Sequence, residues 1–307
     1  MNWLILVAIA VSFDSARIYI DNYISDFYFK GREAVSQKLF FGYAFVVVSI
    51  LLAVIFGIDF SAAPASTFWL LFLAGVLSSV AGIPYYRTLE LDNSTNLGIF
   101  IQTAPILYLV LGWLFLGETI TPLQLVAFLV ILAAPLLIVL TSQKRSRKVK
   151  IRAVFYAFLY VFISVSGNLI FVKENASALS FPIEMSLLFM GKGIGNLIIM
   201  AVCRKWTRRF KNVYHSSHKK VLKPLFSTLS FSLVKDFAYR SALVLAPSVA
   251  IASATSDSTE PIVIFFMGII LTLIWPNFGR EKLNRKNVIV HLAATVLVVI
   301  GIIILQF

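Results

Sequence analysis

The stretch SATSDSTEPIVIFFMGIILTLIW, residues 253–275, carries two opposed demands. Its second half suits lipid. Its first half sets Asp257 and Glu260 just ahead of Pro261, among Ser253, Thr255, Ser256, Ser258 and Thr259. A charge at the centre of a bilayer costs about 2.5–3.5 kcal/mol on insertion scales, and such residues face a cavity or a partner. The two acids are three residues apart, so on a helix they share a face. Pro261 has no N–H to return to the carbonyl of Asp257, so a kink there leaves that carbonyl needing another partner. In membranes, interrupted helices of this kind line cavities. Two readings follow. The acids form a binding site, or they neutralise Lys192 and Lys235 across a bundle.

The rest of the chain fits a membrane setting. Of 307 residues, 59% are hydrophobic and 13% charged, and the mean hydropathy is +0.89. A soluble domain carries nearer a quarter charged residues. A membrane helix needs about 20 mostly apolar residues. Ten segments fit, near 2–22, 36–57, 66–88, 94–116, 121–141, 152–173, 182–203, 223–244, 247–274 and 287–306. The connections 142–151 and 204–222 are the long ones and read as basic loops. The N-terminus lacks a basic leader and a small-residue cleavage pattern, so it reads as a first membrane helix. Cys203 is the single cysteine, which excludes an intrachain disulfide and a Cys-rich metal framework.

Charge sets an orientation. The net charge of +13 comes from Lys and Arg gathered in a few connections. Those after the first, third, fifth, seventh and ninth segments hold 22 of the 27, Lys38 and Arg87 among them, and the opposite side has essentially Lys173. The positive-inside rule makes the basic side cytoplasmic and sends both termini outward. Topology thus accounts for the positive charge, and no nucleic-acid partner is expected.

The halves also echo each other. Residues 85–140 and 238–305 each run from Tyr-Arg to a proline (Pro105, Pro261), a glutamate (Glu118, Glu281) and a last apolar segment. Five segments per half is an odd number, so the halves are inverted, the arrangement that places a transporter's substrate near the midplane. The division is 1–143, a basic cytoplasmic linker 144–151, and 152–307. With LGETITPLQ (116–124), its degenerate copy GREKLNRKN (279–287) and SGNLIFVKENA (166–176), the chain resembles the EamA family of the drug/metabolite transporter superfamily. The resemblance implies an all-α membrane fold of ten helices in two inverted five-helix repeats. Better-known ten-helix members keep both termini in the cytoplasm; the loop charges here argue the reverse.

Three further groups of charge lie inside the apolar segments. Asp14, Arg17 and Asp21 share a helix face by their spacing. They are either a self-neutralising ladder or part of a cavity lining. Lys192 sits in LLFMGKGIGNLIIM (187–200) with no carboxylate one turn away. Its flanking glycines lack the phosphate-loop spacing and suit close helix packing, Gly191 and Gly195 forming GxxxG. Lys235, Asp236 and Arg240 form the third group, with Asp236 and Arg240 spaced to pair and Lys235 needing another partner. In the first half, Gln102 and Thr103 stand where the second half has its acids. Tyr85, Tyr86, Tyr108, Trp113, Tyr156, Tyr160 and Tyr239 are candidate stacking groups, with interface anchoring as the alternative. His215, His218 and His291 read as solvated or interfacial.

These readings lead to a non-enzymatic function. HExxH, GxSxG and ATP-binding motifs are absent from the sequence, so no cofactor is expected and the energy would come from a gradient. The expected activity is alternating-access transport of a small polar metabolite at a multi-pass cell membrane. A carboxyl withdrawn from water can carry a proton, so Glu260, then Asp257, are the coupling or amine-binding acids. Lys192, Lys235 and Arg240 would meet an anionic group, with Asp14, Arg17 and Gln102 lining the site. Acids and bases together fit a zwitterion such as an amino acid. The alternatives are an exporter of hydrophobic or cationic compounds, a membrane enzyme, and a non-transporting scaffold or receptor.

Overall fold

The structure is a computed structural model that describes residues 2–29, 34–60, 64–91, 104–142, 151–175, 179–217, 219–274 and 285–304. Among them the regular structure is all helical: α1 (Asn2–Tyr23), α2 (Lys38–Ile55), α3 (Ala65–Leu91), α4 (Ala104–Leu116), α5 (Pro122–Ser142), α6 (Ile151–Asn175), α7 (Phe181–Val202), α8 (Arg204–Ser216), α9 (Leu222–Leu245), α10 (Val249–Ile274) and α11 (Arg285–Ile304). A π-helical turn, Ile24–Tyr28, extends α1, and a 3-10 turn, Ala34–Gln37, leads into α2.

Six helices are long and apolar enough to cross a membrane: Asn2–Tyr23, Val35–Ile55, Ala65–Thr88, Val154–Glu174, Phe181–Val202 and Val249–Leu271. Ala104–Leu116, Pro122–Ala134 and Val288–Ile304 are shorter apolar helices. α9, which carries Lys235, Asp236 and Arg240, is not among the six. The outward faces are apolar as well. Val54, Ile55, Val202 and Leu273 are each 70–77% exposed, a surface that water would penalise and hydrocarbon would not.

One expected loop is a helix. Residues 204–216 form α8, with Trp206, Phe210 and Val213 buried. Their i, i+4, i+7 spacing is the inward stripe of an amphipathic helix. The intervening cations hide that stripe from a reading based on mean hydropathy.

The chain forms two compact units. One comprises Met1–Ile20, Asp92–Ile151 and Phe231–Phe307, and the other Asp21–Leu91 and Arg152–Ser230. Each draws on both sides of the basic connection 144–151. The halves 1–143 and 152–307 describe the order of the chain, and the units describe its packing.

In the second unit, α2 and α3 pack on α7. Alternate glycines make this possible. A Cβ on Gly191 would overlap the Phe72 carbonyl of α3, and one on Gly195 would lie 3.1 Å from Ser79 Cβ. Gly193 lies about 200° round the helix from Gly191; its Cβ would come within 2.7 Å of Val46 on α2. Both neighbours therefore approach the α7 backbone closely, the packing that small residues permit between membrane helices.

In the first unit, α5 pairs with α11, and α10 packs on α4, α5 and α11. Ala134, Ile262, Ala294 and Val298 form the core between α5, α10 and α11. Val7, Val11 and Ala242 form another, with Trp3, Leu6 and Val263 against them, joining α1, α9 and α10. These two cores set the position of α10, the helix that carries the opening acids.

Candidate functional site

The polar half of α10 begins at a built cap. Ser248 donates to Glu118 Oε2 at 2.9 Å, and the Val249 N–H donates to Glu118 Oε1 at 3.0 Å. The Ser248 hydroxyl in turn accepts the Ala250 N–H at 3.1 Å. A carboxylate here satisfies orphan donors and complements the positive end of the helix. The motif 116–124 gives Glu118 its place. Gly117 adopts φ +67 where α4 ends, a conformation that suits glycine. Thr121 and Gln124 then cap α5 reciprocally, each backbone N–H bonded to the other's side chain at 3.0 and 3.2 Å, a capping box with Pro122 at the first helical position. Glu118→Ala is expected to lower stability by about 2 kcal/mol, in the range for hydrogen bonds to a charged group; thermal unfolding of the purified protein measures it.

Beyond the cap, α10 runs unbroken through Pro261 to Ile274. The expected interruption is absent: the packing on both sides holds the helix together although Pro261 supplies no donor. The hydroxyls of Thr255 and Thr259 fold back onto the carbonyls of Ile251 and Thr255 at 2.9 and 2.6 Å, a pairing that keeps polar side chains satisfied within a helix. Ser253 donates to Asp257 Oδ2 at 3.0 Å. Asp257 and Glu260 are half-buried, while Ser253 and Ser258 are fully buried.

α1 and α9 bring the other charges of this unit. Arg17 Nε donates to Asp14 Oδ1 at 2.6 Å. Lys235 Nζ lies 3.5 Å from Asp14 Oδ2 and 3.8 Å from Asp236 Oδ1: it pairs with Asp14 on another helix and, contrary to the expectation from helical geometry, also with Asp236 beside it, because the long side chain bends back. The same ammonium lies 5.6 Å from the centre of the Tyr239 ring. Arg240, 4% exposed, lies within electrostatic range of Asp236, Tyr108 and Tyr239. Glu260 stands in the same relation to Asp14, Asp257, Lys235 and Arg17, and among the described residues it makes no hydrogen bond or ion pair. Tyr19 donates to the Ile264 carbonyl at 2.9 Å and ties α1 to α10 just past Pro261. Asp14, Asp236, Asp257 and Glu260 thus gather with Arg17, Lys235 and Arg240 on three helices. Such a mixed cluster can hold a charged ligand by exchanging internal pairs for external ones.

Residues 27–140 match the EamA-like transporter family. The match is consistent with the drug/metabolite transporter superfamily, whose EamA members are transporters and not enzymes. With the apolar helices it indicates a multi-pass membrane protein. The EamA-like segment contains Glu118, Gly117 and the capping box. It does not contain the charge cluster, because Asp14 and Arg17 precede it and residues 235–260 follow it. No curated protein matches the chain. Among the solved structures, 26 chains match. One, described only as a crystal structure of a protein, superposes over 98% of this chain and 95% of its own, with a TM-score of 0.58 at 12% identity. At that identity the likeness concerns the fold alone.

The EamA-like segment also holds a buried cation that sequence reading misplaced. Lys38 was expected in a basic connection. It is the first residue of α2 and 7% exposed, and its Nζ donates to the Ser79 carbonyl at 2.7 Å and to Asn196 Oδ1 at 3.1 Å. A lysine at the boundary of an apolar run can point either way, and the polar atoms of α3 and α7 draw this one inward. Lys192 belongs to the same unit. Its ammonium lies 4.9 Å from the Phe45 ring centre and 6.0 Å from that of Phe189, a cation–π environment, and Lys38 lies within its electrostatic range. Lys192 and Lys38 belong to the second unit, and Lys235 and Arg240 to the first.

The remaining expected site residues divide simply. Asp21 lies on α1 with Asp14 and Arg17, and the boundary between the two units falls just ahead of it. Gln102 and Thr103 lie outside the described residues, as do Glu281 and most of the linker 144–151. Tyr85 and Tyr160 pack together, centroids 5.2 Å apart. Trp113 is 63% exposed, on an outward face. His215 is exposed at the end of α8, and His218 lies outside the described residues. No group of three or more His, Cys, Asp or Glu among the described residues is placed to hold a metal.

Proposed function

We propose that the protein is a secondary transporter of a small polar metabolite, a zwitterion such as an amino acid, and that it works by proton-coupled alternating access. One observation carries the reading: acids and bases cluster on α1, α9 and α10, two of which are long and apolar enough to cross a membrane. Charges placed there are retained for a ligand or an ion path far more often than for stability. Asp257 and Glu260 would receive an amino group or a proton, and Lys235 and Arg240 a carboxylate. Lys192 and Gln102 are further polar groups expected to contact the substrate.

In this proposal the fold is two inverted five-helix repeats, 1–143 and 152–307, joined by the basic linker 144–151. The protein sits in the cell membrane with the linker in the cytoplasm and both termini outside, as the basic connections favour. A second reading has its own support. Asp14, Asp236, Asp257 and Glu260 outnumber Arg17, Lys235 and Arg240, and an acidic excess suits export of an organic cation.

The test is ligand-dependent thermal stability of the purified protein against amino acids, sugars, organic phosphates and organic cations, at two pH values. A ligand at 100 times its dissociation constant stabilises by about 2.7 kcal/mol. We expect an amino acid to do so, with an effect that changes with pH and disappears in Glu260→Gln. If Glu260→Gln keeps both the stabilisation and its pH dependence, the coupling role of Glu260 is wrong. If only cations stabilise, the second reading replaces the first.

A further inference from the structure

α8 presents two opposite stripes. Trp206, Phe210 and Val213 point inward. Arg204, Arg208, Lys211 and His215 repeat the same i, i+4, i+7 spacing two residues earlier, about 200° round the helix, and all four are exposed. The helix cannot roll to hide them, because its inner face is fixed at several points. Trp206 packs with Val35, Ile199 and Met200. The Arg87 guanidinium lies 5.6 Å from the centre of the Trp206 ring. Arg209 Nη2 donates to the Phe29 carbonyl at 3.2 Å. All these contacts lie within one compact unit.

The position of α8 along the membrane normal can also be read. It follows the apolar span Phe181–Val202 after a single non-helical residue, Cys203. On the near side, Ile198 and Val202 are 56% and 77% exposed; on the far side, Phe226 in the second turn of α9 is 55% exposed. Apolar residues that face outward on both sides bracket the cationic segment, so it stands where hydrocarbon gives way to headgroups. Lys219, Lys220 and Lys223 are exposed in the same interval. The sequence has no Asp or Glu between Glu184 and Asp236 to neutralise them.

We propose that residues 204–223 form a lipid-binding platform, in which the outward stripe of α8 and the lysines that follow it bind the anionic headgroups of the leaflet where α7 ends. A basic cluster directly beside a membrane span, held on a rigid helix, attracts anionic lipid over zwitterionic lipid of the same chain length. Zwitterionic headgroups offer the same phosphate with a compensating cation, so discrimination rests on net charge.

The experiment equilibrates the full-length protein in nonionic detergent with equal amounts of phosphatidylglycerol and phosphatidylcholine, and counts retained lipids by native mass spectrometry. We expect enrichment of phosphatidylglycerol by at least about fivefold at low salt, falling as salt screens the surface charges. Arg204→Gln with Arg208→Gln and Lys211→Gln should bring the ratio near parity. Arg204→Lys with Arg208→Lys keeps the charge and should keep the enrichment. Equal retention by the wild type overturns the proposal, as does undiminished enrichment in the triple glutamine variant. Loss of enrichment in the lysine variant overturns recognition by charge. Displacement of the lipid by millimolar inorganic phosphate makes the site one for free anions and not for a membrane surface.

Discussion

Asp14→Asn is expected to destabilise the protein by about 2–3 kcal/mol, below the cost of breaking a fully buried ionic group because its partners are half-buried. Asp14 accepts from Arg17 at 2.6 Å and lies 3.5 Å from Lys235, with its side chain 13% exposed. Asparagine keeps the shape and one acceptor but not the charge. Two cations on different helices then lose their shared counterion in a setting of low dielectric. The cost is greater than for a surface pair, whose worth is about 0–1 kcal/mol. Thermal unfolding in detergent measures it. Adding Lys235→Met to Asp14→Asn should recover part of the loss, because the pair is coupled. A single variant as stable as the wild type would show that Asp14 is not the anchor of the cluster.

Gly191→Ala is the second large effect. The added methyl would overlap the carbonyl of Phe72, a backbone atom of α3 that no rotamer change can move aside. Gly75 stands in the mirror position: its Cβ would overlap the carbonyl of Leu188 on α7. The two helices must therefore separate, and the contacts between them are lost together. Overpacking of a well-fitted core costs about 1–3 kcal/mol, and occasionally more. The upper end is expected here, about 3 kcal/mol, because the obstruction is main chain. Ile198→Ala, on the same helix but 56% exposed, is the control that should leave stability nearly unchanged. The yield of folded protein on size-exclusion chromatography, together with the melting temperature, checks both.

The six long apolar helices were legible in the sequence because a bilayer demands long apolar runs, and few other patterns imitate them. The close packing around Gly191, Gly193 and Gly195 was legible for a related reason: alternate small residues leave room for little else. What the local sequence does not carry depends on neighbours remote in the chain. Helical geometry turns Lys235 away from Asp236, yet its side chain reaches within 3.8 Å of that carboxylate, and nothing local points to Asp14. Glu118 stood out in the motif 116–124, yet its task at Ser248 lies 130 residues away. Lys38 looked like the end of a loop, since position alone does not tell which way a long side chain turns. In α8, the apolar residues 206, 210 and 213 were diluted by cations, and only their spacing marked a helix.

The interleaved units have a consequence for biogenesis. The chain passes from one unit to the other after Ile20, Leu91, Ile151 and Ser230. Synthesis proceeds in one direction, so the second unit cannot close until Ser230 has emerged from the ribosome. The first must wait for the last helix, although it began with Met1. Through most of translation, the charged residues of α1 stand in the membrane without the lysine and the acids that later surround them. A nascent chain in that state presents Asp14 and Arg17 mainly to each other. A truncation at the basic connection leaves both units open at once, and neither fragment made by cutting there contains a finished one.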